Sequence, residues 1–116
     1  MDASFFAHME EIDLCWRMRN KKWKLACVPQ STVYHLGGGS LSYDNPRKTY
    51  LNFRNNLVMI YKNRRFPWCV LAIRCVLDYV AALHFLLQGK KGSAKAVLEA
   101  RRDYKKMRVK SVKCKV

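Results

Sequence analysis

The apolar positions of this chain change period several times. Over residues 9–20, Ile12, Cys15 and Trp16 recur at helical spacing and predict a short amphipathic helix. Over residues 21–36 the period shortens. Trp23, Leu25, Cys27 and Val33 alternate with Lys22, Lys24 and small residues, which predicts extended, strand-like backbone broken at Pro29 and resumed at Val33 and Tyr34 to deliver His35. Gly37, Gly38 and Gly39, followed by Ser42, Asp44, Asn45 and Pro46, read as a loop with turn chemistry. Helical spacing returns over residues 48–63. There Tyr50, Phe53, Leu57, Ile60 and Tyr61 share a face, with Arg54, Asn55, Asn56 and Lys62 mostly opposite. Such a helix suits either a core or a membrane interface, and Arg47, Lys48, Arg64 and Arg65 flank it.

Residues 66–88 are the most hydrophobic part. Pro67 suits a first helical turn and Gly89 a C-terminal cap. At about 1.5 Å per residue this helix is long enough to cross a hydrocarbon layer. Arg74, Asp78 and His84 lie inside it, however, and a charge at a bilayer centre costs about 2.5–3.5 kcal/mol on insertion scales. Arg74 and Asp78 are four residues apart and could neutralise one another. The expectation is a helix embedded at the cytoplasmic leaflet rather than a simple span. Basic residues at both ends leave its orientation open. Residues 89–116 carry eight lysines and three arginines against Glu99 and Asp103, with Ala94, Val97, Leu98 and Arg101 suggesting one more amphipathic helix before the end frays.

Composition narrows the class. A chain of 116 residues that is half apolar has enough hydrophobic material for one small domain and is not disordered by composition. Its formal charge of +15 calls for an anionic partner: phosphate, acidic lipid or nucleic acid. The five cysteines (Cys15, Cys27, Cys69, Cys75 and Cys114) form no CxxC pair, and the first residues do not read as a secretory signal. Both point to reduced thiols on the cytoplasmic side.

The side chains best suited to proton transfer and hard-metal binding are Glu10, Glu11, Asp13 and His35. A simpler account of the acidic cluster also holds. Glu10, Glu11 and Asp13 fall in the first turns of a helix, where its dipole favours anions, and Arg17 and Arg19 fall in its last. Asp13 and Arg17 can support one another through four-residue spacing, by about 0.2–0.5 kcal/mol. A lone histidine ending a strand is likewise more often structural than a ligand. The glycines after it can adopt positive φ and let backbone approach a ligand.

The run Phe5-Phe6-Ala7-His8-Met9-Glu10-Glu11-Ile12-Asp13-Leu14-Cys15-Trp16-Arg17, then Val28-Pro29, then Tyr34-His35-Leu36-Gly37-Gly38-Gly39-Ser40, resembles the carboxy-terminal part of bacterial family 2 glycosyltransferases of the rhamnosyltransferase-like kind. Asn45-Pro46-Arg47-Lys48-Thr49-Tyr50 and the helix reaching Arg54-Asn55-Asn56 continue the likeness. The resemblance implies a GT-A fold and an inverting enzyme that moves a sugar from a nucleotide-diphosphate donor to a glycan or lipid-linked acceptor in cell-surface polysaccharide synthesis. It implies Glu11, with Glu10 second, as the general base. Asp13 and Arg17 would orient acceptor or base. His35 would be a ligand to Mg²⁺ or Mn²⁺ beside the diphosphate, near the loop Gly37, Gly38, Gly39 and Ser40.

The departure from that family is large. Its members precede this region with a nucleotide-binding α/β half carrying an aspartate-any-aspartate metal motif, and no two aspartates here are two apart. The resulting expectation is an α+β fragment, mainly helical: residues 1–47 as the acceptor-side and metal-site end of a GT-A catalytic domain, 48–65 an interfacial helix, 66–88 a membrane-associated helix, and 89–116 a basic tail. Alone it is expected to be inactive or nearly so, peripheral or monotopic on the cytoplasmic face of the inner membrane. Its partners would be an anionic membrane surface and, in a full-length enzyme, the donor and acceptor. Two other classes compete: a non-catalytic basic membrane-associated protein, and a small nucleic-acid-binding protein whose cations would line one face.

Overall fold

The computed structural model describes residues 5–34 and 45–113, with side chains through Arg108. Four helices form: α1 (Glu10–Asn20), α2 (Pro46–Asn63), α3 (Pro67–Leu87) and α4 (Lys91–Lys113). Helix α2 begins where Asn45, in extended backbone, accepts a hydrogen bond on its side chain from the Arg47 amide at 2.9 Å, with Pro46 opening the first turn. The Asn45-Pro46 pair therefore starts a helix instead of closing a loop. Pro67 likewise opens the first turn of α3, there without a side-chain cap, and Gly89, at φ 75°, turns the chain into α4.

The strand expectation fails. Among the described residues there is no strand, and Trp23–Val28 carry no regular structure and are exposed throughout. The alternating pattern is present, but a strand needs neighbours for its backbone donors and acceptors, and none lies beside it. The α+β fragment of a GT-A domain is overturned with it: every regular element described is a helix.

Three helices make one packed layer system. Helices α2 and α3 form an antiparallel pair, with Tyr61 meeting Trp68 edge to face and Arg74 over the Phe53 ring. Helix α4 returns antiparallel along α3, from the Gly89 turn past Asp78–Arg101 to Trp68, whose ring lies 4.4 Å from the Arg108 guanidinium. It consequently runs parallel to α2, from Pro46 beside Gly92 to Tyr61 beside Tyr104. A methyl group at Gly92 would meet Pro46 Cγ at 3.0 Å, which is why that contact takes a glycine. Ser93, Ala94, Ala96, Val97 and Ala100 are buried and let α4 approach closely. The core is Phe5, Leu57, Val58, Met59, Ile60, Leu71 and Tyr104, with Met9, Trp16 and Tyr61 packed against it. Helix α1 rests on the end of α2.

Candidate functional site

The carboxylates at the start of α1 divide into a fixed one and two loose ones. Asp13 is fully buried. One of its oxygens accepts from Arg17 Nε at 2.8 Å, and the other accepts from Asn63 Nδ2 at 2.7 Å. Asn63 also donates to the Met59 carbonyl, so it braces α1 against the last turn of α2. The four-residue spacing of Asp13 and Arg17 was legible in the sequence; the third member, Asn63, was not. Glu11 is exposed at the second position of α1. Glu10 is half-buried, and its Oε2 is closed from solvent without a hydrogen-bond donor. Asp13→Ala is expected to lower the melting temperature measurably, since it removes a fully buried carboxylate that ties Arg17 and the half-buried Asn63 together, whereas Glu11→Ala is expected to leave it nearly unchanged.

What sets the entry angle of α1 is a polar clamp. Phe6, His8 and Met9 all stand at positive φ (63°, 67° and 68°), a left-handed conformation that costs about 1–2 kcal/mol at each non-glycine position. The segment is held there by Asn55, which is fully buried. Its Nδ2 donates toward the carbonyls of Phe5, Ala7 and His8 at 3.0, 2.6 and 2.8 Å. Its Oδ1 accepts from Arg54 Nε and Nη2, and Arg54 Nη2 also reaches the Phe5 carbonyl. An amide has two hydrogens for three acceptors, so one bond is shared. The spacing places Asn55 four residues after Leu51 and three before Val58, on the buried side. Reading it with the polar side was an error of helical phase, and Leu51 was the available signal.

His35, the expected metal ligand, and the loop of Gly37, Gly38, Gly39 and Ser40 lie outside the described residues. Among the described residues no three His, Cys, Asp or Glu side chains come together as a metal-holding group. Asp13 has both oxygens engaged within the fold, by Arg17 and Asn63. None of the described cavities is lined by Glu10 or Glu11. The most voluminous of these, about 800 Å³ and open, lies between the starts of α2 and α4, where Arg47, Tyr50, Arg54, Lys95, Glu99 and Asp103 line it. Burial first, and then the hydrogen bond the phenol donates to Asp103 at 3.0 Å, push Tyr50 up from the usual tyrosine range.

Helix α3 has its polarity reversed relative to an ordinary soluble helix. Its buried side holds Leu71, Asp78 and Ala82 together with the half-buried Arg74, while Ile73, Val76, Leu77, Val80, Leu83 and Leu87 are exposed. Only 17 % of its most apolar stretch is buried. Asp78, 1 % exposed, accepts from Arg101 Nη1 of α4 at 2.6 Å and lies 3.1 Å from Arg74 Nε. Burial nonetheless pushes the Asp78 carboxyl above its usual range, outweighing both arginines. Of the three residues that counted against a simple span in the sequence, Arg74 and Asp78 are thus turned inward and paired, whereas His84 is exposed.

The length and apolar character of α3 suffice for a membrane-crossing helix. Its neighbour argues against a crossing. Lys95, Arg102, Lys105 and Lys106 are exposed on α4, which follows α3 from end to end. Two such cations carried near a bilayer midplane would cost about 5–7 kcal/mol on insertion scales.

The described molecule is a basic helical bundle with one outward-facing apolar helix and a braced acidic helix start. No family model, curated protein or solved structure matches this chain.

Proposed function

We propose that this chain works as the acceptor-side, membrane-associated part of a sugar-transferring system on the cytoplasmic face of a membrane, with Glu11 as the general base. The observation that carries the reading is the division of labour at the start of α1. Asp13 is locked into the fold by Arg17 and Asn63, while Glu11, two residues earlier, is exposed and available to an acceptor. Asp13 and Arg17 then orient the base indirectly, by fixing α1 through the brace to Asn63, while the Asn55 clamp separately holds the segment before it.

In the reaction, Glu11 takes the proton of an acceptor hydroxyl as its oxygen attacks the anomeric carbon of the donor sugar. The bond from that carbon to the nucleotide diphosphate breaks, and the electron pair leaves with the diphosphate. Configuration at carbon inverts. In this reading nucleotide binding and any Mg²⁺ or Mn²⁺ would fall to a separate donor half of the system, with His35 the residue of this chain proposed to join the metal. Such an ion would supply charge for the departing diphosphate.

The test is a chimera in which a family 2 nucleotide-binding half precedes this chain. Transfer to a lipid-linked acceptor is expected, falling about 100-fold or more in Glu11→Gln with little change in stability. Equal activity in Glu11→Gln and the parent chimera would overturn the assignment. The competing nucleic-acid reading leaves the exposed apolar side of α3 without a role.

A further inference from the structure

The membrane location just proposed can be given a geometry, and the geometry stands or falls separately from sugar transfer. We infer that α3 lies in the plane of an anionic bilayer surface, with the side carrying Ile73, Val76, Leu77, Val80, Leu83 and Leu87 sunk at the boundary between headgroups and acyl chains and α4 riding beside it. At 100° per residue these six side chains fall on one side of the helix, and Leu71, Arg74, Asp78 and Ala82 fall on the other. His84 is the basic member of the outward side. It sits in the last turn, with its Nε2 2.8 Å from Gln88 Nε2, where an interfacial helix meets water.

The rest of the molecule supplies what a lipid surface recognises. Arg64 and Arg65 stand just before α3, and Lys90 and Lys91 just after it. Trp68 is half exposed at one end with Arg108 stacked on its ring, the aromatic-cation pairing suited to a headgroup layer. A second copy of this chain could also cover an apolar strip, but it would bring a further +15 against the same cations. An anionic bilayer neutralises them instead. A perpendicular α3 is opposed by α4, which is bound along it at Asp78–Arg101 and Trp68–Arg108 and would carry Lys95, Arg102, Lys105 and Lys106 into hydrocarbon.

The test uses the full chain and sealed vesicles, rich in phosphatidylglycerol or made of phosphatidylcholine alone. Binding to the anionic vesicles is expected to weaken in high salt. The double variant Ile73→Glu with Val80→Glu changes only exposed side chains, and is expected to lower partitioning about tenfold or more. The charge-matched control Val28→Glu with Val33→Glu, also exposed, should lose much less. Single cysteines introduced by Phe66→Cys and Gln88→Cys, in a chain freed of its native cysteines, should both react with a membrane-impermeant thiol reagent added outside. Equal losses in the two double variants would overturn the inference, as would protection of only one end of α3. So would a stable dimer in solution that Ile73→Glu with Val80→Glu dissociates while vesicle binding stays unchanged.

Discussion

Replacing Asp78 by alanine is expected to destabilise the chain by about 3–5 kcal/mol, enough to unfold much of it at room temperature. The reason is not that the ion pair itself is a large source of stability. Burial raises the Asp78 carboxyl even with Arg101 at 2.6 Å and Arg74 at 3.1 Å, so desolvation exceeds the attraction that the pair recovers. Removing the side chain leaves a worse state, in which the nearly buried Arg101 loses the oxygen that accepts its hydrogen bond, an acceptor that a protonated carboxyl would still provide. The double variant Asp78→Leu with Arg101→Met should therefore be far less damaged than either truncation alone, by denaturant unfolding in the same buffer. The pH dependence has a definite sign. A folded-state value raised above the unfolded one, about 3.9, means the group's stabilising contribution is complete below that value and is lost as pH rises through the raised one. Unfolding of Asp78→Asn should lack that component. A parent chain whose stability falls on mild acidification because of Asp78 would contradict this reading.

The second large effect is expected at Asn55. Asn55→Asp keeps the shape and removes both amide hydrogens, setting a carboxylate against the Phe5, Ala7 and His8 carbonyls. Each buried acceptor left without a donor costs about 1–3 kcal/mol, and the left-handed residues Phe6, His8 and Met9 lose the contact that holds them. The expected result is release of residues 5–9 from α2, seen as faster proteolytic cleavage before α1. A fall in acceptor turnover in the chimera would accompany it, because Glu10 and Glu11 follow directly. Asn55→Leu should destabilise similarly without the added charge. Unchanged proteolysis in both variants would mean that the segment is held by Phe5 packing alone.

These two sites also mark the limit of what the residues disclosed before folding. Helical spacing over 9–20, 48–63 and 66–88 located three helices to within a few residues, because each has an apolar stripe long enough to state its period. The four-residue pairs Asp13–Arg17 and Arg74–Asp78 were legible for the same reason: one helix sets their separation. Asn63 on Asp13, Arg101 on Asp78 and Asn55 on the 5–8 carbonyls were not legible, since each joins segments brought together only by tertiary packing. The alternation of Trp23, Leu25 and Cys27 misled. Period-two spacing states which face a strand would bury, but it does not provide the neighbouring strand. The reversed polarity of α3 was half readable: Leu71, Arg74, Asp78 and Ala82 share a side by spacing, and the return of α4 along α3, which brings Arg101 to Asp78, was needed to say that this side faces in.

That reversal is tested most directly by a spin-label scan of vesicle-bound chain at positions 72, 73, 75, 76, 77, 79, 80, 81 and 83, none of which is a buried residue. Immersion depth is expected to oscillate with a period of about 3.6 residues, deepest at 73, 76, 77 and 80 and shallowest at 75, 79 and 81. A featureless plateau of deep immersion across the whole stretch, or water contact at every position, would contradict it.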